Sequence, residues 1–541
     1  MPRRAVAPAV AVLVFGGFIA AMATVGNQSF TLSDLGPGTA NAVNASGSVV
    51  GSKPAGDGTS RAYIWTAATQ TQTDLGIANS SANGVNDAGI VVGTRTSSGL
   101  QQAFRWAGGT TTDLGTLSGF TESSAAGVNA SGQIVGTCTG GGMRAFLWAG
   151  GSMIDLTTLG GSTSEAAAIN DAGTVVGTSL LGDELTRHAF VWDAVDGMQA
   201  LGDLDGNNAS EAMDVNEAGD VAGSSFTAYY YYYGWYSYWV EGPRTATLWQ
   251  GGVPVALGGP GTYGFAVNDA TADHGVQIVG AAWDASCQTY MPILWEVDGA
   301  GQVTSRVLDE SLDAAFTGFL DHAGAINDAG QIAVSGRTSA LDPRALLLTP
   351  SALPPVAQPL HAPTYIAATP GTARVSLSWS SVCDAESYVV KRGTASGGPY
   401  QTLVSGLTQT SYVDTSATPG TTYHYVVLGV RGATEGTASA DVAATPLPYP
   451  PTGLTGKAVN GKVKGQVALK WTPSASSGIA HYKVFRIDPN GARVLVATLG
   501  NVSSYTATGL TRRTRYGFYV TAVHSAGQES SASNTVYVTA N

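Results

Sequence analysis

The sequence predicts an all-β chain: a seven-bladed β-propeller whose last blade is closed by an N-terminal strand, followed by two β-sandwiches. Three observations carry this. A turn of the form Asn-x-x-Gly starts at Asn44, Asn86, Asn129, Asn170, Asn216 and Asn327, with a sixth copy, in chain order, shortened to Asn268-Asp269-Ala270. Four short apolar words accompany each turn. Beyond a proline-rich stretch, two units of about 90 residues each place a Trp early and a Tyr late. A period of roughly 40 to 60 residues marks a propeller or solenoid, and four strands per period select the propeller.

The first element is a leader. Arg3-Arg4, an apolar run from Ala5 to Ala20 and Ala21-Met22-Ala23 read as a secretory signal peptide over residues 1–23. No other segment approaches the roughly 18 to 20 apolar residues of a spanning helix. The last residues, Thr539-Ala540-Asn541, carry no anchor signal, so a secreted protein, loosely held at the cell surface at most, is expected.

Residues 24–349 are expected to form the propeller. The first word of each repeat ends at the Asn, as in Glu165-Ala166-Ala167-Ala168-Ile169. The residue before the Asn is always Val or Ile, and the residue four before it is Ala or Gly. That pattern suits an innermost strand squeezed from both sides. The second word follows the turn (Thr174-Val175-Val176-Gly177), and the third is Ala-aromatic-x-Trp (Ala189-Phe190-Val191-Trp192). The fourth ends in Asp-Leu-Gly (Asp113-Leu114-Gly115). The Asn tetrad has type I turn composition. Seven turns and seven third words meet only six following fourth words. The missing one precedes the first turn, at Thr31-Leu32-Ser33-Asp34-Leu35-Gly36. These words resemble the extracellular HAF-repeat family over residues of about 29–349, through His188-Ala189-Phe190 and its variants Gln102-Ala103-Phe104, Arg144-Ala145-Phe146 and Arg61-Ala62-Tyr63. The resemblance implies a secreted bacterial repeat protein and brings no catalytic residues.

A proline-rich linker, residues 350–362, leads to sandwiches at 363–446 and 450–541. The first shows Ser376-Leu377-Ser378-Trp379 and, late, Pro419-Gly420-Thr421-Thr422-Tyr423. The second shows Ala468-Leu469-Lys470-Trp471 and Arg512-Arg513-Thr514-Arg515-Tyr516. An early-strand Trp and a corner Tyr mark an immunoglobulin-like sandwich without the disulfide, and both units resemble fibronectin type III domains. That family implies spacing and adhesion more often than chemistry. Arg512 stands where it often has Pro, which is expected to loosen the second corner slightly. Pro446, Pro448, Pro450 and Pro451 form a stiff connector. Three scattered cysteines, Cys138, Cys287 and Cys383, suggest no disulfide framework.

The formal net charge is −12, unevenly spread. Residues 449–541 hold ten Lys and Arg against Asp488 and Glu529, a surplus of +8, while the propeller carries about −21. An acidic main domain argues against nucleic acid as a partner. The basic last domain suits anionic cell-envelope polymers, with mutual attraction of the two parts or plain solubility as the alternative.

Departures from the repeat are where function is sought. Turn spacings of 42, 43, 41 and 46 residues rise to 52 and 59. The first insertion runs from Tyr229 to Trp239 in repeat five, and the second, in the equivalent loop of repeat six, holds Trp283, Asp284 and Tyr290. Connections nearby add Tyr263, Asp309, Glu310, Asp313, Phe316, Phe319, Asp321 and His322. Aromatic clusters in loops mark contact sites, and rings suit sugar faces while acids suit hydroxyls. The candidate binding residues are therefore Trp235, Tyr236, Tyr238, Trp239, Trp283, Tyr290, Asp284 and Glu310; the alternative is a tyrosine flap packed shut on the propeller. Two smaller irregularities are Asp214, an acid on an innermost strand, and Asp203-Leu204-Asp205-Gly206-Asn207. The latter resembles the start of a Ca2+ loop but lacks its later carboxylate; no other cofactor is suggested.

No Gly-x-Ser-x-Gly, His-Glu-x-x-His or phosphate loop is present. The expectation is a monomeric, non-catalytic binding or adhesion protein for extracellular polysaccharide, cell-envelope polymer or a surface protein. A glycosidase or lyase with accessory sandwiches and a structural spacer are the alternatives. The enzyme needs a carboxylate pair, for which Glu241, Asp284, Asp309, Glu310, Asp313 and Asp321 are candidates, with His322 as base.

Overall fold

The computed structural model describes residues 28–541 except 184, 234, 235, 272, 273, 286, 287, 356, 357, 384 and 462. Residues 1–23, expected to be a leader, lie outside the described residues. The chain divides into two compact units, up to residue 359 and from 360 to 541. Both are all-β, and no described helix is long and apolar enough to cross a membrane.

The first unit contains seven four-stranded antiparallel sheets. Each repeat folds on itself in chain order, as in repeat four: Gly160–Ile169, Val175–Leu181, Arg187–Asp193 and Gly197–Ala200. The seventh sheet takes its fourth strand from the other end of the unit. Ser29–Pro37 runs antiparallel to Pro343–Ser351, with Phe30 opposite Pro350 and Leu32 opposite Leu348. Phe30 is buried with Leu308, Leu312, Leu320, Leu346 and Leu348.

Why the words take this shape is visible at Gly177. A Cβ there would lie 2.0 Å from the Glu165 carbonyl oxygen, 2.9 Å from Ala166 Cα and 2.9 Å from the Phe190 ring. So the Gly of the second word, the tiny residue of the first and the aromatic of the third form one contact, and each explains the others. The close approach accompanies a bulge: strand register slips between Ala166 and Ala168, and at the same place in five other repeats. A bulge bends its strand and re-aims the neighbouring side chains.

The repeated Asn does more than turn the chain. In repeat four, Asn170 Oδ1 accepts the Thr174 amide at 2.9 Å, and Nδ2 donates to the Asn216 carbonyl of the next repeat at 3.1 Å. Every repeat makes both bonds. The inter-repeat series runs Asn44 to Asn86, Asn129, Asn170, Asn216, Asn268 and Asn327, and Asn327 donates back to Asn44 at 2.9 Å. All seven are buried, at 7% exposure or less.

The second unit holds two sandwiches. In the first, Ile366–Gly371, Arg374–Trp379 and Ser411–Asp414 face a sheet built on Ser387–Gly393 and Tyr423–Arg431. In the second, Thr452–Ala458, Val467–Thr472 and Ser504–Ala507 face Arg493–Leu499, Ile479–Ile487, Arg515–His524 and Val536–Thr539. Trp379 meets Tyr388 edge-on at 5.7 Å, and Trp471 meets Tyr482 at 5.8 Å. The corner tyrosines accept backbone amides, Tyr423 from Thr418 at 3.3 Å and Tyr516 from Thr511 at 3.2 Å. Beside Arg512, Arg513 adopts the left-handed φ of +58° that Gly420 supplies in the first corner at +77°. Cys138 is a buried free thiol.

Candidate functional site, a mouth over repeats four to seven

Counting back from the repeated Asn, the residues five before it are Thr39, Ser81, Ser124, Glu165, Glu211, Tyr263 and His322. Those three before it are Asn41, Asn83, Ala126, Ala167, Met213, Phe265 and Gly324. Repeats one to three fill these positions with small groups that satisfy one another: Asn41 Nδ2 donates to Ser81 Oγ and the Ala82 carbonyl, Asn83 Nδ2 to the Ala125 carbonyl. Repeats four to seven place Glu165, Glu211, Tyr263 and His322 at the first position, and repeats five and six place Met213 and Phe265 at the second. The register slip described above falls at the second of these positions, as at Ala167, Met213 and Phe265.

Two of the acids border a cavity of about 430 Å³ lined by Met143, Glu165, Thr178, Arg187, Glu211 and Met213 among others. Glu165 reaches solvent through this opening, yet protein crowds it. Burial raises its pKa, Arg187 opposes the shift, and the nearby Glu211 carboxylate adds to it. Beside them lies an ionic cluster. Arg244 Nε donates to Glu211 Oε1 at 2.7 Å and its Nη2 to Glu241 Oε2 at 3.0 Å; Arg187 Nη2 donates to Glu241 Oε1 at 2.8 Å. Both guanidiniums lie over the Phe226 ring, at 5.4 Å for Arg187 and 4.5 Å for Arg244.

From Arg244 an aromatic band continues across the next repeats. Its guanidinium is 5.7 Å from the Tyr263 ring. Tyr263 stacks on Phe265 at 6.1 Å and meets Tyr290 edge-on at 5.3 Å. Phe265 lies 4.6 Å from the His322 ring, and Trp283 lies 5.0 Å from Tyr290. Trp283 and Tyr290 remain exposed, at 44% and 41%. Tyr290 is pushed up to about 12 by burial, a hydrogen bond with Tyr263 and that hydroxyl's charge, with Arg244 opposing. His322 is held below its ordinary value by burial, against the pull of Asp321.

The sequence-predicted residues distribute as follows. Trp283 and Tyr290 are direct cross-strand partners on Val276–Asp284 and Thr289–Val297, and Asp284 pairs with Thr289 at the strand ends. The repeat-five insertion is a hairpin of its own, Ala228–Tyr233 paired with Tyr236–Glu241. It carries Tyr236, Tyr238 and Trp239; Trp235 and the side chains from 230 to 239 lie outside the description. Its base is fixed by Asn208, which donates to the Ala228 carbonyl and accepts its amide, and by Glu241 in the ionic cluster. Glu310 is exposed on the short turn Asp309–Ser311. That segment is tied to the N-terminal edge strand, through the Asp313 amide to Phe30 and Thr31 to the Asp313 carboxylate. Asp321 is spent on a two-point pair with Arg337 at 2.6 and 2.7 Å. Asp203 of the Ca2+-like segment faces His188 Nδ1 at 3.2 Å. Among the described residues no group of three or more His, Cys, Asp or Glu is arranged to hold a metal ion. Sequence reasoning missed Glu165, Arg187, Glu211, Arg244 and Phe265. The available signal was the position five before the Asn, where Thr or Ser gives way to Glu in two adjacent repeats.

Residues 449–539 match the family model of the fibronectin type III domain. The chain is 40% identical over 84 residues to an amylopullulanase of Thermoanaerobacter thermohydrosulfuricus, covering 15% of this chain and 6% of that protein. It is 31% identical over 214 residues to exoglucanase B of Cellulomonas fimi, covering 36% and 18% respectively. It thus spans less than a fifth of either relative, and the matches fall on their fibronectin-like accessory regions. Among solved structures, a two-domain fibronectin type III segment of chicken tenascin aligns with 33% of this chain and 98% of its own at 16% identity and a TM-score of 0.25. An Fn3-like protein from Clostridium thermocellum aligns with 15% and 86% at 39% identity and a TM-score of 0.14.

Proposed function

We propose that the chain is a secreted, non-catalytic binding protein in which residues 24–349 form a closed seven-bladed propeller of HAF-type repeats. Its mouth over repeats four to seven takes up an extracellular glycan, and residues 1–23 are removed on export. The observation that carries this reading is the one-sided mouth: small self-bonded residues in repeats one to three, against Glu165 and Glu211 in repeats four and five, the exposed Trp283 and Tyr290 in repeat six and His322 in repeat seven. Rings offer flat apolar area with little loss of entropy, and carboxylates and arginines accept from and donate to hydroxyls. Both large insertions belong to this same side. The propeller reading is supported by seven four-stranded sheets and the Asn series that returns to its start. The carbohydrate reading is supported by polysaccharide-degrading relatives that share accessory sandwiches.

The second reading, a glycosidase, is favoured by one observation: Glu165 and Glu211 border one cavity and Glu165 is raised by burial. Such pairs divide acid and nucleophile roles. One experiment separates the two. The mature chain is run against soluble and insoluble neutral polysaccharides beside Trp283→Ala/Tyr290→Ala and Glu165→Gln/Glu211→Gln, with supernatants assayed for new reducing ends. Retention weakened at least about tenfold by the aromatic double variant, roughly 1.4 kcal/mol, with no new ends, is the expected result. New reducing ends that vanish in the glutamine variant would replace binding by hydrolysis. No retention of the wild type on any polysaccharide would remove the glycan and leave a protein partner for this mouth.

A further inference from the structure

The last sandwich carries a surface that the mouth does not use. Successive residues of a strand face opposite sides of a sheet. On Ile479–Ile487 and Arg515–His524, Tyr482, Val484, Tyr516, Phe518, Val520 and Ala522 fill the core. Phe485, Ile487, Gly517 and Tyr519 therefore face outward. Strand register assembles them into two rows. Leu495, Phe485 and Tyr519 lie directly opposite one another across three strands; Arg493, Ile487, Gly517 and Tyr537 do so across four. Phe485 and Tyr519 stack at 4.9 Å with only 9° between their planes. Gly517 is bare because the Tyr537 ring occupies the space above it: a Cβ would lie 2.9 Å from that ring. Arg493 lies 6.0 Å from the Tyr519 ring and Arg515 4.9 Å from the Tyr537 ring. Tyr537 is 55% exposed and Leu495 48%.

The result is a flat ring-bearing face with a guanidinium at each end. On the matching strands of the first sandwich, Val389, Val426 and Leu428 are buried instead. Charge identifies the occupant. The domain holds ten Lys and Arg and two acids, and both acids are already engaged, Glu529 with Lys483 at 2.6 Å and Asp488 with Arg486 at 2.5 Å. Arg493 and Arg515 thus have no acid of their own domain left to neutralise them. A ligand suited to this face carries regularly spaced anions and flat apolar faces.

We propose that the Phe485–Tyr519–Tyr537 face of the last sandwich binds an anionic, uronate-bearing polysaccharide. Sugar faces lie on the rings, and carboxylates meet Arg493 and Arg515 through paired N–H donors. The assignment is independent of the mouth of the first unit, and its test uses other residues. The full chain is run by affinity electrophoresis through native gels containing alginate or neutral dextran, at low and at physiological salt. Wild type is expected to be retarded more by alginate than by dextran, with the alginate retardation falling as salt screens the charges. Tyr519→Ala/Tyr537→Ala and Arg493→Ser/Arg515→Ser are each expected to weaken it about tenfold or more. Tyr519→Phe/Tyr537→Phe keeps the rings and is expected to keep binding, which separates loss of stacking from loss of folding. Undiminished binding of the tyrosine-to-alanine variant would reduce the face to unspecific attraction and overturn the proposal, as would equal retardation by dextran that the same variant loses. Tighter capture by phosphatidylglycerol vesicles than by alginate, lost in the same variants, would also overturn it and assign the face to a membrane.

Discussion

Asn216 uses every polar atom it has. Its carbonyl accepts Gly219 N and Asn170 Nδ2, its amide reaches the Asp220 carbonyl, its Oδ1 accepts Asp220 N at 2.7 Å and its Nδ2 reaches the Asn268 carbonyl at 3.0 Å. Turn chemistry was legible in the tetrad, since local bonds depend on neighbours in sequence. The inter-repeat bond was not, because its partner stands 52 residues away. Asp214, two residues earlier, was legible as an anomaly, and its surroundings supply the consequence. It keeps some accessible surface but is enclosed by protein, and its Oδ2 accepts the Val267 amide of the next repeat at 2.9 Å. Burial pushes it up to about 7 from 3.8, with the Val267 and Val215 amides opposing. A raised carboxyl favours the protonated form in the folded state. Its contribution to stability is complete below about pH 4 and is lost as pH rises through about 7. Asp214→Asn keeps an acceptor without the charge, so wild type should lose stability relative to this variant from pH 4 to pH 8. Urea unfolding at successive pH values measures it, and a constant gap between the two proteins would refute the assignment.

At the scale of elements, the strands were readable because each word has its own composition, and the bulge was not. It inserts no characteristic residue; it is the joint product of a tiny residue, a Gly and an aromatic from three different strands. The mouth side chains were missed for the same reason, since the bulge aims them and the words alone do not. The insertions were readable as interruptions, but only pairing distinguishes a separate hairpin in repeat five from lengthened strands in repeat six. The second sandwich offers a test at this scale. Arg513 holds a φ of +58°, a conformation costing a residue with a Cβ roughly 1–2 kcal/mol. Gly is expected to relieve most of it, less the entropy it adds to the unfolded chain. Arg513→Gly should therefore stabilise the last domain by about 0.5–1 kcal/mol, read as a higher urea midpoint with unchanged slope. A lower midpoint would mean that the Arg513 side chain contributes more than its backbone costs.

For the molecule as a whole, the first unit depends on contacts between its most distant parts. Ser29–Pro37 and Pro343–Ser351 share one sheet, and Asn327 bonds back to Asn44. Such contacts tie the loss of any one sheet to its neighbours, so the unit should unfold in a single step, separately from residues 360–541. Phe30 is the sharpest probe. It lies on the strand that completes the seventh sheet, is 1% exposed, and packs on Leu308 and Leu312 of the sixth repeat's end as well as Leu346 and Leu348 of its own sheet. Truncating a buried Phe to Ala typically costs about 3–5 kcal/mol. Calorimetry of Phe30→Ala should show the first unit's transition moved down as one peak, with the sandwich transition unmoved. A split of that peak, with most of its area left at the wild-type temperature, would mean that the seventh sheet melts alone and that the repeats are coupled only to their immediate neighbours.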